Sequence, residues 1–315
     1  MRVLIAGGGT GGHVIPALAV GEELLAAEPN AAVLYVGARG GLEERLVPEA
    51  GFDLELLSVG KLKGSGLAAR LRTLAGLPSA LVRALTLLRR FDPQVVVGVG
   101  GYASGPLALA ARLARRPLLL LEQNAIPGST NRFLARLAHR VATSFDDTLG
   151  LPGHKIVCVG NPLRPALRER LSQPRSAPAL ETRAPRLFIL GGSQGARRLN
   201  ELAVEVLPRL ARALPRGLEV VHQTGPADEA MVREAYAQVP PEAKLEASAE
   251  AFIGAEIADH YRWADLALCR SGATTIAELG VAGLPAVLVP YPYAANDHQA
   301  ANATQVVAAG GALME

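Results

Sequence analysis

The stretch Arg2-Val3-Leu4-Ile5-Ala6, followed by Gly7-Gly8-Gly9-Thr10-Gly11-Gly12-His13, decides how the rest of the chain is read. A short apolar run breaks into five glycines, and a helical pattern then continues through about Ala27. An apolar run without alternation reads as a strand covered on both faces, as in a parallel sheet. Glycines let the backbone turn tightly and approach a ligand. The N-terminus of the following helix offers unpaired N–H groups to an anion. A tight strand-to-helix turn without any ligand would carry the same signature.

The pattern recurs. Gln94–Val99 runs into Gly100 to Pro106 and a helix through Arg115. Arg186–Leu190 runs into Gly191-Gly192-Ser193-Gln194-Gly195 and a helix through Leu214, and Leu266–Cys269 into Arg270 to Thr275 and a helix through Ala282. Further apolar strands fit Val33–Val36, Leu118–Leu121, Arg140–Thr143, Ile156–Val159, Glu219–His222 and Ala286–Val289. Strands alternating with helices predict an α/β chain of doubly wound parallel sheets. The segment 161–185 is rich in proline and arginine and reads as a connection, with a short helix at Ala166–Leu171. It separates an N-terminal domain, 1–160, from a C-terminal domain, 186–315. In such sheets ligands bind beyond the carboxyl ends of the strands, and clefts between domains are favoured sites.

At 315 residues and 50% hydrophobic content, two domains can each bury a core. Aromatics at 4% argue against a nucleic-acid binder built on base stacking. The N-terminus lacks the apolar run of a signal peptide, and no stretch approaches the roughly 20 apolar residues of a spanning helix. Two distant cysteines, Cys158 and Cys269, offer neither zinc spacing nor a disulfide framework, which fits a reducing compartment. Net charge is only +3, but no Asp or Glu falls between Leu56 and Phe91, where Lys61, Lys63, Arg70, Arg72, Arg83, Arg89 and Arg90 cluster among leucines. That stretch suits an interfacial helix on anionic lipid. It equally suits a core-facing helix with a solvated basic face.

The first loop contains G-x-G-x-x-G at Gly7, Gly9 and Gly12, yet the next strand ends Val36-Gly37-Ala38-Arg39 with no acid for a ribose. That weakens NAD and leaves NADP open through Arg39. His13 opens the following helix, where the N-terminal field favours the neutral imidazole that a base requires. Local hydrogen bonding is its plainer role. Ser271 and Thr274 are cap-type residues. Glu278 lies one turn beyond Thr274, where a carboxylate can accept both hydroxyls of a ribose or merely face solvent. Asp297, His298, Gln299 and Asn302 suit sugar hydroxyls or a capped polar loop. No D-x-D occurs, so the usual diphosphate-bound metal ligand is missing. Neither a Walker A loop nor a G-x-S-x-G elbow is present.

GGGTGGHVIPALAV, GGYASGPLALAA, EQNAIPGSTNRFLAR, GNPLR, GGSQGARRLN, WADLALCRSGATTIAELGVAGLPAVLVPYP and DHQAANA occur in that order. Together they closely resemble the MurG family of peptidoglycan N-acetylglucosaminyltransferases over essentially the whole chain. The resemblance implies a GT-B fold, with two Rossmann-like domains facing a cleft, and a further helix or two beyond Glu315. It implies inverting transfer of GlcNAc from UDP-GlcNAc to lipid I, without metal or cofactor and without nucleic acid, by a peripheral enzyme on the cytoplasmic face of the inner membrane. Anionic inner-leaflet lipid would be a further partner. Carried over by motif, His13 matches the general base, while Thr10, Gly11 and Gly12 face the donor's diphosphate and sugar. Asn124 binds the GlcNAc region, Arg164 and Ser193 the diphosphate or its surroundings, and Ile253 the uracil. Ala273, Thr274, Thr275, Ile276, Ala277 and Glu278 cradle phosphate and ribose, with Glu278 on the ribose, and Gln299 binds a GlcNAc hydroxyl.

Overall fold

A computed structural model describes residues 1–57, 67–101, 103–174, 180–192 and 194–315. Ser193, Lys61 and Lys63 therefore lie outside the described residues. The chain divides into two compact units, Met1–Pro165 and Ala166–Glu315.

In the first unit β1 (Arg2–Gly7), α1 (Gly11–Ala27), β2 (Ala32–Ala38), α2 (Glu43–Glu49), β3 (Asp53–Leu57) and α3 (Leu67–Phe91) lead to β4 (Val95–Gly100). Then follow α4 (Ser104–Leu113), β5 (Leu118–Glu122), α5 (Ser129–Leu134), β6 (Arg140–Thr143) and β7 (Ile156–Cys158). Among the described residues the sheet runs β3-β2-β1-β4-β5-β6-β7, with every pairing parallel. Leu4, Val96 and Leu120 point to one face and pack with Ala84, Leu88 and Leu107 of α3 and α4. Val3, Ile5 and Val97 point to the other and pack with Val14, Ala17 and Leu18 of α1. Burial on both faces is why these strands read as unbroken apolar runs.

α6 (Pro165–Leu171) leads into the second unit. There β8 (Arg186–Leu190), α7 (Arg197–Ala213), β9 (Leu218–Gln223), α8 (Glu229–Ala237), β10 (Leu245–Glu250) and α9 (Ile257–Trp263) precede β11 (Leu266–Cys269). α10 (Ala273–Ala282), β12 (Ala286–Leu288), α11 (His298–Ala308) and β13 (Ala312–Met314) follow. The described sheet runs β10-β9-β8-β11-β12-β13, again all parallel. Both orders reverse direction beside their first strand, between β1 and β4 and between β8 and β11. Those switch points are where open parallel sheets bind ligands.

The described second half of α3 turns one face to the core and leaves a basic face exposed. Ala80, Ala84, Leu87 and Leu88 are buried, while Val82, Arg83, Arg89 and Arg90 are exposed. Arg90 pairs with Glu55. No helix among the described residues is long and apolar enough to cross a membrane. Cys158 is exposed and Cys269 buried, both as free thiols.

Candidate functional site

At the switch point of the first unit, two glycine loops lie against each other. A Cβ on Gly7, at φ 146°, would stand 2.4 Å from the Gly100 carbonyl oxygen, and one on Gly101 2.5 Å from the Gly8 carbonyl oxygen. Only glycine fits such a contact. The buried Ser104 hydroxyl lies 2.7 Å from the Ala6 carbonyl and 2.8 Å from that of Gly100, which ties the two strand ends together.

Thr10 is the N-cap of α1, with an extended backbone. Its carbonyl accepts the N–H groups of His13 and Val14, and its hydroxyl lies 3.1 Å from His13 Nδ1. The other edge of the half-buried imidazole rests against Gly100, where a Cβ would meet Nε2 at 2.8 Å. Thr10, Gly11, Gly12 and His13 are thus brought together at one helix N-terminus beside the β4 loop, with Thr10 and Gly12 exposed.

Asn124 stands at the end of β5, and its backbone N–H donates to Glu122 Oε1 at 3.0 Å. Glu122 is itself buried and also accepts from the Gly128 N–H and from Asn131 Nδ2. Burial raises its pKa, and those hydrogen bonds oppose the rise. Arg164, expected at the diphosphate or its surroundings, pairs with Glu22. Its Nε and Nη2 donate to Glu22 Oε1 at 2.9 and 2.5 Å, so its charge is already matched by an acid on α1.

The switch point of the second unit is built differently. The loop after β8 leans on the β9 side: a Cβ on Gly195, at φ 79°, would stand 2.1 Å from the Thr224 carbonyl oxygen. Gln223, at the end of β9, gives its Nε2 to the Gly192 carbonyl at 3.2 Å and accepts the Ile253 N–H at 3.0 Å on its Oε1. One carboxamide therefore joins the glycine loop to the segment expected to meet the base. Ile253 is buried, and Phe252 is the exposed member of the pair. That favours the Ile253 backbone or the Phe252 ring over the Ile253 side chain as the surface presented to a base.

Below the loop His222 is fully buried, with Nε2 3.0 Å from Asn200 Oδ1 and Nδ1 2.8 Å from the Tyr236 hydroxyl. Asn200 Nδ2 donates to the Thr224 carbonyl and to Asp228. With the Asn200 amide so oriented, Nε2 carries the proton and Tyr236 donates to Nδ1. Burial lowers the His222 pKa to about 4.

On the β11 side, Gly272 is the N-cap of α10, contrary to the cap types expected at Ser271 and Thr274. The Ser271 hydroxyl is spent elsewhere, donating to the Gln299 carbonyl at 2.8 Å. Ala273, Thr274 and Thr275 form the first turn of α10, whose leading N–H groups have no acceptor within the helix. Arg270 Nη1 donates to the carbonyls of Val289 and Pro290, with its guanidinium 5.6 Å from the Tyr291 ring centroid. Gln299 Oε1 accepts the Tyr291 N–H at 2.9 Å. Asp297 precedes α11 in a left-handed conformation without capping it.

Further along α10, Glu278 Oε2 accepts from the Tyr261 hydroxyl at 2.6 Å. Burial pushes the Glu278 carboxyl up to about 7, and the Tyr261 hydrogen bond pulls it back in part. Glu278 is partly exposed and Tyr261 fully buried. Glu22, Glu43, Gln223 and Tyr261 complete these sites and lie in none of the quoted motifs, while Glu122 opens EQNAIPGSTNRFLAR without having been singled out. Glu22, Glu43, Gln223 and Tyr261 act through contacts far away in sequence, whereas Glu122 binds the turn that follows it.

Two doubly wound units with glycine loops at their switch points describe a class that handles nucleotide-linked ligands. Residues 3–143 match the glycosyltransferase family 28 N-terminal domain and residues 186–315 its C-terminal domain. Over 315 residues, all of this chain and 80% of the relative, it is 45% identical to a UDP-N-acetylglucosamine–N-acetylmuramyl-(pentapeptide) pyrophosphoryl-undecaprenol N-acetylglucosamine transferase of Anaeromyxobacter sp. (strain Fw109-5). It is 48% identical to the transferase of the same name from Halorhodospira halophila, over 98% of this chain and 83% of that one. The crystal structure of Acinetobacter baumannii MurG superposes with a TM-score of 0.77 at 32% identity, covering 100% of this chain and 85% of that one. The chain belongs to glycosyltransferase family 28 and, within it, to the MurG family of N-acetylglucosamine transferases.

Proposed function

We propose that the chain transfers GlcNAc from UDP-GlcNAc to the C4 hydroxyl of MurNAc in lipid I, giving lipid II. The observation that carries this reading is the 45% identity, over the whole chain, to a relative whose name states the two substrates. The site chemistry agrees with it. The second unit offers the N-terminal turn of α10 and Arg270 for a diphosphate, Glu278 for a ribose and Gln299 for a sugar hydroxyl. Ser193 belongs to the same proposed set. The first unit offers Thr10, Gly11, Gly12 and His13 at the start of α1, and Asn124 beyond the end of β5. Arg164, paired with Glu22, belongs to the proposed donor set as well.

In this mechanism the His13 imidazole removes the acceptor proton as the C4 oxygen attacks the anomeric carbon, inverting it. The leaving UDP is stabilised by helix N–H groups and arginine in place of a metal ion. Work at the cytoplasmic face of the inner membrane, with the basic stretch 61–90 against anionic lipid, completes the reading. Binding to anionic vesicles that weakens with salt is expected for that stretch. Absence of binding at low salt removes it.

The test is titration with UDP, UDP-GlcNAc and NADP, followed by turnover with a lipid I analogue. UDP binding with acceptor-dependent GlcNAc transfer supports the reading. Consumption of UDP-GlcNAc without an acceptor, or binding of NADP alone, overturns it.

A further inference from the structure

Glu43, at the start of α2, is buried, with only 1% of its surface exposed, although it sits just beneath a surface loop. Its Oε2 accepts the Gly9 N–H at 2.7 Å and its Oε1 the Ala38 N–H at 3.0 Å. The carboxyl group therefore bridges the β1 glycine loop and the end of β2. No ion pair to it occurs among the described residues. Space for it is made by glycines: a Cβ on Gly8, Gly37 or Gly41 would stand 2.2, 2.4 or 2.1 Å from Glu43 side-chain atoms.

Burying a carboxyl group with no cation costs free energy that an apolar side chain would not. Two N–H donors facing one group select a carboxylate over an amide. A glutamine can accept one N–H but turns its own NH2 toward the other. One oxygen is held by the end of β2 and the other holds the backbone of Gly9. The next residue is Thr10, the N-cap of α1, whose hydroxyl meets His13 Nδ1 at 3.1 Å.

We infer that Glu43 is a positioning residue for proton transfer: by holding the Gly9 N–H it sets the backbone of Gly9 and Thr10, and through the Thr10 hydroxyl the orientation of the His13 ring. This rests on the reading of His13 as the base. It also means that the Gly9 N–H is not offered to a phosphate, so an anion at this loop would meet the leading N–H groups of α1 instead.

The experiment compares Glu43→Gln, His13→Ala and the double variant with the wild type. It measures kcat and KM with UDP-GlcNAc and a lipid I analogue, UDP affinity, and amide hydrogen exchange without substrate. Misplaced catalytic groups lose rate steeply, so Glu43→Gln is expected to lower kcat roughly 10- to 100-fold. UDP affinity is expected to stay within about twofold, with faster exchange confined to Gly7 through His13. In the His13→Ala background Glu43→Gln is expected to add little, as for two residues acting through one group. A kcat within about twofold of wild type overturns the inference, because a lost positioning contact cannot be that cheap. So does exchange that quickens throughout β1, β2 and β4, which makes Glu43 a core-stability residue. Strictly additive losses in the double variant overturn it while leaving the base reading in place. Near-normal turnover of His13→Ala alone sinks the base reading and this inference together.

Discussion

The two glycine loops, one after β1 and one after β8, look interchangeable as sequence and differ in what stands behind them. The β1 loop is backed by a buried carboxyl group, Glu43, which consumes the Gly9 N–H. The β8 loop is backed by a neutral carboxamide, Gln223, bonded to the Gly192 carbonyl. Across its switch point the second unit adds a cation, Arg270, whereas the first unit's other buried acid, Glu122, ends β5, one strand beyond the switch. An anion is repelled by acids and drawn to N–H groups and a guanidinium. On the proposed reading, the same strand–loop–helix device serves mainly the acceptor hydroxyl and its proton in one unit and mainly the diphosphate in the other.

The largest effect that sharpens this contrast is on turnover. A positioned base typically contributes about 10²–10⁴-fold, so His13→Ala is expected to lower kcat by that factor. On the proposed reading UDP affinity rests mainly on the second unit and is expected to hold. A parallel loss of UDP affinity would break the division of labour, because it would place the donor's anion on the β1 loop.

The sequence made the central strands and the glycine loops legible because both depend on local residue type. β8, β11 and β6 have the bounds expected from their apolar runs. β3, β10 and β13 were not foreseen. They lie at sheet edges, and DLELL and LEASAE alternate charge with apolar residues because one side meets solvent. β7 is an edge strand that was foreseen, since Ile156-Val157-Cys158 stays apolar even where Val157 is exposed. The loops' backing was illegible for another reason. Glu43 lies 34 residues from Gly9, and Gln223 lies 31 residues from Gly192, so only the folded sheet brings the partners together.

The next effect concerns stability under the β8 loop. Burial holds the His222 pKa near 4 in the folded chain, against an ordinary value of 6.5. Above 6.5 the ring is neutral whether folded or not. As pH falls from 6.5 toward 4, the unfolded chain takes up a proton that the folded chain refuses. Stability is therefore lost across that window, by roughly 3 kcal/mol in total. Urea titrations at stepped pH should show the loss, and His222→Gln should flatten it. An unchanged slope in that variant would remove His222 as the support of the loop.

A smaller effect separates binding from stability on α10. A hydrogen bond to a charged group is worth about 1.5–3 kcal/mol, so Glu278→Gln is expected to weaken UDP roughly 10- to 100-fold. Its folded pKa is raised to about 7 from 4.5, so the stability linked to its protonated form is present below 4.5 and lost as pH rises through 7. The variant is therefore expected to melt no lower than wild type at pH 8 while binding UDP less well. Equal affinity for UDP and 2′-deoxy-UDP in the wild type would break the assignment of Glu278 to the ribose.

The smallest expected effect is none at all, and it bears on how the second unit holds its anion. The chain has no D-x-D, and the groups placed at the β8–β11 switch point are the first turn of α10, Arg270 and the amide of Gln299. Helix N-termini and a guanidinium stabilise departing diphosphate charge without a cation bridge. Dialysis against EDTA is therefore expected to leave both kcat and the affinity for UDP-GlcNAc unchanged. If activity falls and Mg²⁺ or Mn²⁺ restores it, the anion is being neutralised by a metal, and the contrast between an acid-backed and a cation-lined loop no longer explains where the diphosphate goes. If turnover persists while Arg270→Ala weakens UDP more than it weakens uridine, the guanidinium is doing for the diphosphate what a metal does elsewhere.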